Sequence, residues 1–440
     1  MVRFSRLASH ANYPLARVAN LLRRRPQYGA NERGLDRIDE SQIRYIRITD
    51  VDSVGRLVPG LGATAETIDN RYLLNDGDIL LARSGNTAGK SYMYVSDHGP
   101  AIFAGYMIRF CFDTAKVNPE FAFIYTQLPV YHIWVQATRR LTGQPNINAE
   151  EYRSLTIPMP PTDVQLRIVE QYKRAMLAFN KALSEAAALL ASIDDYLLSE
   201  LGITLPPEAE NTLANRTFRV SASKLNGWRF DARVHQSDFS LRSTRLESAA
   251  LGTLCLINPP TSFRGLDAED IAGFVPMDAV SDRLGIVQED LRRPIAECGA
   301  YTVFQDRDVL WAKITPCMEN GKSAVVDNLP NGVGFGSTEF HVLRPRTAAI
   351  LPQYVHALLR MRRVRREAKR FFTGSSGHQR VDDFFLRKLV VPVPTVELQK
   401  RLADDVRHRR EQAIALEQQA TAQLEVAKRE IEAILLGDAA

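Results

Sequence analysis

Cysteine is scarce in this chain. Of 440 residues, only Cys111, Cys255, Cys298 and Cys317 are cysteines. No two stand at Cys-x-x-Cys spacing, which argues against a zinc ribbon and a thioredoxin-like redox pair. A disulfide framework is not expected at this density, which fits a reducing cytoplasm. The eight histidines are scattered. None forms His-x-Glu or His-Glu-x-x-His spacing, and no Ser-His-Asp set suggests itself. No run of about 18 apolar residues is uninterrupted, so no membrane span is expected. The first residues, MVRFSRLASHANYP, lack the apolar core of a signal peptide. With 45% hydrophobic and 24% charged residues, the composition is that of a folded protein rather than a disordered one. Its length suggests about two to four domains.

The net charge of +5 is unevenly spread. Residues 162–201 and 395–436 together hold 11 basic and 14 acidic side chains, so the remainder carries +8. Residues 360–370 (RMRRVRREAKR) hold seven basic residues and one acid. A basic surface of that kind suits a polyanion, and nucleic acid is the usual one.

A long internal repeat organises the chain. Asn75-Asp76-Gly77-Asp78-Ile79-Leu80 returns as Gln305-Asp306-Arg307-Asp308-Val309-Leu310. Leu141-Thr142-Gly143 returns as Phe372-Thr373-Gly374, and Leu155-Thr156-Ile157-Pro158-Met159-Pro160 as Leu389-Val390-Val391-Pro392-Val393-Pro394. Gln165 matches Gln399, and Leu198–Gly202 matches Ala433–Gly437. The offset grows from 230 to 235. A period this long means two domain-sized copies, not a solenoid.

Each copy begins with a globular part of mixed pattern. Arg44–Thr49 and Asp78–Arg83 are short strand-like runs. Residues 119–140 look helical, with a break or kink required at Pro129. A Pro-x-Pro turn then leads into a long helix. Thr162 or Asp163 is the expected cap of the first and Thr395 of the second. Apolar residues recur every three or four positions, from Val164 through Phe179 to Leu201 and from Leu398 through Ala413 to Leu435. Gly202 and Gly437 sit where a helix stops. About 40 residues make a helix of roughly 60 Å, which must bury its stripe against something equally long. The other copy's helix is the obvious partner. The fold class expected is α+β: a tandem duplication of a mixed α/β domain plus a long helix, with the helices pairing as an antiparallel coiled coil. The expected boundaries are 1–157, 158–202, a linker at 203–216, 217–391 and 392–440.

Other motifs have plainer readings. Asn258-Pro259-Pro260-Thr261 follows a strand-like run, as the Asn-Pro-Pro-aromatic tetrad of DNA amino-methyltransferases does. Thr261 offers no stacking face and no Gly-x-Gly loop precedes it, so a turn is the better reading. Ser84–Ser91 (SGNTAGKS) has three residues between its glycines where a phosphate loop needs four. It reads as a hairpin tip with Arg83, Ser84, Asn86 and Lys90 available to DNA. The repeated Asp76, Asp78, Asp306 and Asp308 read as strand-opening turns rather than metal ligands.

Taken together, Gly77-Asp78-Ile79-Leu80, Ile157-Pro158-Met159-Pro160-Pro161 with Gln165, and Val391-Pro392-Val393-Pro394 with Gln399 resemble the specificity subunits of type I restriction-modification systems. Tyr28-Gly29-Ala30-Asn31 also looks like the family's first recognition domain, and the likeness runs over essentially the whole chain. The resemblance implies a chain that is not itself an enzyme. It implies two target recognition domains that would each read half of a bipartite sequence in double-stranded DNA. On the same resemblance the helices would act as a ruler and dock two methyltransferase subunits carrying S-adenosylmethionine, and a motor-nuclease subunit would join for restriction. No cofactor or metal is expected in this chain, and the location implied is cytoplasmic. The alternatives are a recognition scaffold of another phage-defence methylation system and a DNA amino-methyltransferase. The DNA-facing residues expected are Tyr28, Arg83, Ser84, Asn86, Lys90 and Gln144 in copy one, and Arg362, Arg363, Arg366, Lys369, Arg370, His378 and Gln379 in copy two. Copy two departs from copy one in its extra Ser375-Ser376-Gly377, expected as a longer loop at the DNA face. It also has Thr-Val for Pro-Thr at 395–396, and Arg409 within the apolar stripe, where a partner subunit is the expected contact.

Overall fold

Two sheets of identical strand order carry the repeat into three dimensions. The computed structural model describes residues 11–138, 146–206, 212–217, 219–221, 232–235, 239–375 and 377–437. The chain divides into unit one, Met1–Leu183 with Glu417–Ala440, and unit two, Ser184–Leu416.

In unit one, β1 (Gln27–Tyr28), β2 (Ile79–Ala82), β3 (Ser91–Met93) and β4 (Met107–Phe110) form an antiparallel sheet in the order β1-β4-β2-β3. Every residue of β2 and β4 is buried, as expected of a sheet covered on both faces. Helices α1 (Pro119–Tyr125), α2 (Pro129–Thr138) and α3 (Ala149–Ser154) pack beside it. Pro129 opens α2, so the break expected there separates two helices. The long helix α4 (Thr162–Leu201) follows a strand at Thr156–Pro158 that pairs with Leu15–Arg17.

Unit two repeats the plan. Here β5 (Cys255–Ile257), β6 (Val309–Ala312), β7 (Ser323–Val325) and β8 (Phe340–Pro345) lie in the order β5-β8-β6-β7. Helices α5 (Pro352–Leu359), α6 (Arg362–Ala368) and α7 (Asp383–Lys388) follow. Ser248–Ala250 pairs with Val390–Pro392 just before the second long helix, α8 (Val396–Leu436). Of the segment read as a linker, Leu213–Arg216 forms one helical turn, and 207–211 lie outside the described residues.

The repeated turn also keeps its wiring. The Asp78 carboxylate accepts from Asn75 N at 3.0 Å, and that of Asp308 from Gln305 N at 2.8 Å. Asp76 and Asp306 accept from Ser96 N and Leu329 N, each at 2.8 Å. Asn258 is likewise a turn residue: its Oδ1 accepts from Val342 N at 3.0 Å and its backbone is left-handed.

The long helices pair antiparallel, as the stripes predict. In unit two, Ser192, Tyr196 and Glu200 of α4 meet Arg409, Asp405 and Arg401 of α8, one number rising as the other falls. In unit one, Gln171 donates to Glu430 at 2.9 Å. Ile168, Phe179, Leu424 and Ile431 join the core of unit one; Ile193, Leu197, Leu402 and Val406 join that of unit two. Each fully buried leucine contributes about 1.5–3 kcal/mol. By length and composition α4 is apolar enough to cross a membrane, against expectation, but its stripe lies against protein.

One helix cap and one side chain of the stripe correct the sequence reading. Helix α4 starts at Thr162, so neither Thr162 nor Asp163 caps it; Pro161 O accepts from Val164 N instead. Thr395 does cap α8, its Oγ1 accepting from Leu398 N at 3.4 Å. Arg409 does not point away to a partner: it donates to Ser192 at 2.8 Å and lies 4.5 Å over the Tyr196 ring. Gly202 and Gly437 take left-handed φ values of +61° and +78° at the helix stops.

A buried glutamine bolts each long helix to its body. Gln165 donates to Pro160 O at 2.9 Å and accepts from Asn118 N at 3.0 Å. Gln399 donates to Pro394 O at 2.9 Å and Ala349 O at 2.8 Å, and accepts from Leu351 N at 2.9 Å. Buried amides of this kind are costly unless every group finds a partner.

Candidate nucleic-acid interface

After β2 the chain passes through Arg83 and Ser84 into a tight turn at Gly85–Thr87, then returns as β3. Neighbours brace this tip. Arg83 N donates to Tyr106 O at 3.0 Å, Ile147 N donates to Arg83 O at 2.7 Å, and Ser84 bridges to Asn146. The Arg83 guanidinium lies 4.9 Å over the ring of Tyr28, whose hydroxyl accepts from Ala149 N. Tyr28 and Tyr106 are 39% and 38% exposed, high for aromatic side chains. Asn86 is exposed at the tip. Lys90 turns inward, its ammonium held by the carbonyls of Ile48 and Val51. Gln144, with Leu141-Thr142-Gly143, lies outside the described residues.

The same bracing recurs in unit two. Lys313 N donates to Glu339 O and Val381 N donates to Lys313 O, each at 2.9 Å, and Ile314 bridges to Arg380. Arg380 grips Glu339 through Nη2 at 2.6 Å and Nε at 2.8 Å, which holds that carboxyl below its usual range. Thr315 N donates to Gln379 O at 2.9 Å. His378 is exposed beside it on the loop that joins strands Phe372–Thr373 and Arg380–Val381. The extra residues of copy two sit on that hairpin loop, with Ser376 outside the described residues. Lys313 lies 230 residues after Arg83, the offset of the repeated turn, so mapping the repeat forward would have found it. Tyr106, Asn146, Glu339 and Arg380 carried no motif.

The basic run forms α6 and the turn after it, but its charges are largely answered from elsewhere. Arg363 and Arg370 converge on Glu367, a buried carboxylate, at 3.1 and 2.8 Å. Lys369 pairs with Glu319 at 2.5 Å. Arg362 lies 3.8 Å from Asp194 of α4, which also accepts its backbone N–H at 2.8 Å. Arg360 and Arg365 are directed to backbone carbonyls of Gly321, Asp282, Arg283 and Glu319. The acids Asp194 and Glu319 are remote in sequence, so a count over 360–370 misses them. Arg366 is exposed. Among the described residues no three metal-ligating side chains gather.

The specificity subunits of the type I restriction enzymes EcoAI and EcoEI, both from Escherichia coli, are 30% and 31% identical to this chain over 190 residues. That stretch is 43% of this chain and 32% of each relative, so the chain matches about a third of the length of those relatives. No protein-family model matches. Among solved structures, the HsdS subunit from Thermoanaerobacter tengcongensis is 15% identical, with 97% of both chains covered and a TM-score of 0.37. A structure described as the basis of assembly and conformational transition of the type I R-M system is 17% identical over 96% of both chains, with a TM-score of 0.49. Over those 190 residues the two E. coli relatives bear out the resemblance to type I specificity subunits noted in the sequence.

Proposed function

We propose that this chain is the DNA-specificity subunit of a type I restriction-modification complex in the cytoplasm. Each unit reads one half of a bipartite target with its hairpin tip. The observation that carries this reading is the repetition of one braced tip, Arg83-Ser84 and Lys313-Ile314, on two copies of one sheet. A reader used twice suits a target with two halves. Arg83, Ser84, Asn86 and Tyr28 serve the first half, and Lys313, His378, Gln379 and Arg380 the second. Gln144 extends the first set. Arg366, with Arg362, Arg363, Lys369 and Arg370, adds attraction to phosphate. Lys90 supports the tip from beneath. The helix pair sets the spacing and docks two methyltransferase subunits, which bring S-adenosylmethionine and the base-flipping chemistry; a motor-nuclease subunit completes the restriction complex. The chain itself needs no cofactor and performs no catalysis. Asn258 supports this, because its side chain is spent on Val342 N and His341 rather than offered to a base.

The test is methylome sequencing of cells that carry the chain with its methyltransferase partner. One bipartite modified motif is expected. Replacing residues 1–157 with another recognition domain should alter one half of that motif only. A continuous motif, or a change in both halves, would contradict two independent readers. Methylation by the purified chain alone would support the amino-methyltransferase alternative instead.

A further inference from the structure

In unit two, the last part of α4, the middle of α8 and the basic run enclose a cleft of about 260 Å³. Five arginines and two aspartates line it. That is a net charge of +3 in a space smaller than the roughly 300–1,000 Å³ of ordinary organic-ligand pockets. The arginines are not equally satisfied. Arg360 and Arg365 are held by backbone carbonyls, which orient a guanidinium without neutralising it. Arg362 has Asp194, whose carboxylate also takes the Arg362 amide. Arg410 of α8 has no hydrogen bond and no ion pair among the described residues, although it lines the cleft.

Such an arginine is expensive to maintain. Arg410 and Arg360 are half-buried, and burial lowers the pKa of Arg410 to about 10 and that of Arg360 to about 9, so both stay charged at neutral pH. The attraction between Arg410 and Asp194 is shared with Arg362. Unit one handles its nearest counterpart differently: Lys428, the buried cation on its stretch of α8, is paired with Glu425 at 2.8 Å. A cleft with surplus guanidinium and few acids matches one kind of guest. Planar guanidinium forks fit tetrahedral oxyanions in a bidentate manner, and in a poorly solvated site the attraction is little screened.

We propose that this cleft is a binding site for a phosphate group, with Arg410 as its central ligand and Arg362 and Arg360 beside it. The group is either a free phosphate anion or a phosphate of a nucleic-acid backbone. The inference does not need the DNA-reading proposal, because free phosphate is tested on the chain alone.

The experiment is thermal unfolding and calorimetric titration of the full chain in potassium phosphate, against potassium chloride of equal ionic strength. Phosphate should raise the unfolding midpoint beyond the effect of chloride. Arg410→Met should weaken phosphate binding at least tenfold while leaving the midpoint in chloride unchanged or higher, since an apolar side chain replaces an unpaired charge. Arg362→Gln, at a more exposed position, should weaken it severalfold and guards against misfolding of the first variant. A duplex arm separates the sources. If the guest is a backbone phosphate, saturating DNA should abolish the phosphate effect, and Arg410→Met should lower the salt slope of DNA binding by about 0.9. If it is a free anion, phosphate should bind the DNA complex unchanged. No effect of phosphate beyond ionic strength, or equal phosphate responses of the wild type and both variants, would overturn the assignment.

Discussion

In unit one the second body helix begins Pro129-Val130-Tyr131, and Glu432 of α8 accepts the Val130 amide at 2.7 Å. In unit two the equivalent helix begins Arg362-Arg363-Val364, and Asp194 of α4 accepts the Arg362 amide at 2.8 Å. Each body is thus held by a carboxylate from the long helix that the other copy supplies. Burial raises the pKa of both acids, against the pull of the amides they bind. The contact was kept while the side chains around it diverged, apolar in one unit and basic in the other. The lesson is that backbone wiring is the inherited part of the repeat, and surface charge the part free to vary.

The largest effect is expected at the repeated aspartate. Asp308 is fully buried and gripped by Arg344 at 2.8 and 2.7 Å, whereas Asp78 lies 3.5 Å from Arg109. Asp308→Ala leaves the half-buried Arg344 without its two-pronged acid partner and the Gln305 amide without its acceptor, and should cost about 3–5 kcal/mol in denaturant unfolding. Arg109, though fully buried, keeps the carbonyls of Leu73 and Arg71 when Asp78 is removed. Asp78→Ala should cost clearly less, and equal losses would mean that the two turns are energetically the same. Next is the glutamine bolt. Gln399→Leu removes three buried hydrogen bonds and should cost about 2–4 kcal/mol; Gln165→Leu removes two and should cost less. The reverse order would make the first bolt the stronger.

A pH effect comes third. His356 is buried in unit two against Ser323, and burial holds its pKa well below the usual value. A depressed histidine pKa means the unfolded chain binds the proton more readily, so this contribution is intact above about pH 6.5 and lost as pH falls below it. The loss should approach about 1.4 kcal/mol per pH unit, and His356→Gln should flatten it. An unchanged pH profile in that variant would place the acid sensitivity elsewhere. The smallest effect is at Arg366: Arg366→Ala should leave stability within about 0.5 kcal/mol and lower the salt slope of DNA binding by about 0.9, with the modified motif unchanged. A changed motif would make Arg366 a reader of bases.

Much of the architecture was legible because it rests on periodicity and on punctuating residues. The stripes, the glycine stops and Pro129 act locally, and local rules survive folding. The cap at Thr395 was legible for the same reason, whereas Thr162 misled because Pro161 already supplies the first acceptor. The candidate interface was legible only in part. Arg83, Ser84 and Asn86 lie on a turn with a sequence signature, but Lys90, two residues from the next strand's centre, is drawn inward by carbonyls at 48 and 51. The charge partners of the basic run were not legible because charge balance is three-dimensional: Asp194 and Glu319 come from elements 168 and 50 residues away.

The corner at Arg307 differs between the copies in one residue. Copy one places Gly77 there with φ +78°, and copy two places an exposed arginine at φ +68°, a region most side chains avoid. Asp306 and Asp308 clamp the corner from both sides through Leu329 N and Gln305 N, so the loop's form is imposed by its flanks. A corner cast in this way works as a socket: its outward residue can be exchanged over time without redesigning the scaffold, at a toll of about 1 kcal/mol for leaving glycine behind. Diversity in what such a protein meets outside then costs little in what it must preserve inside.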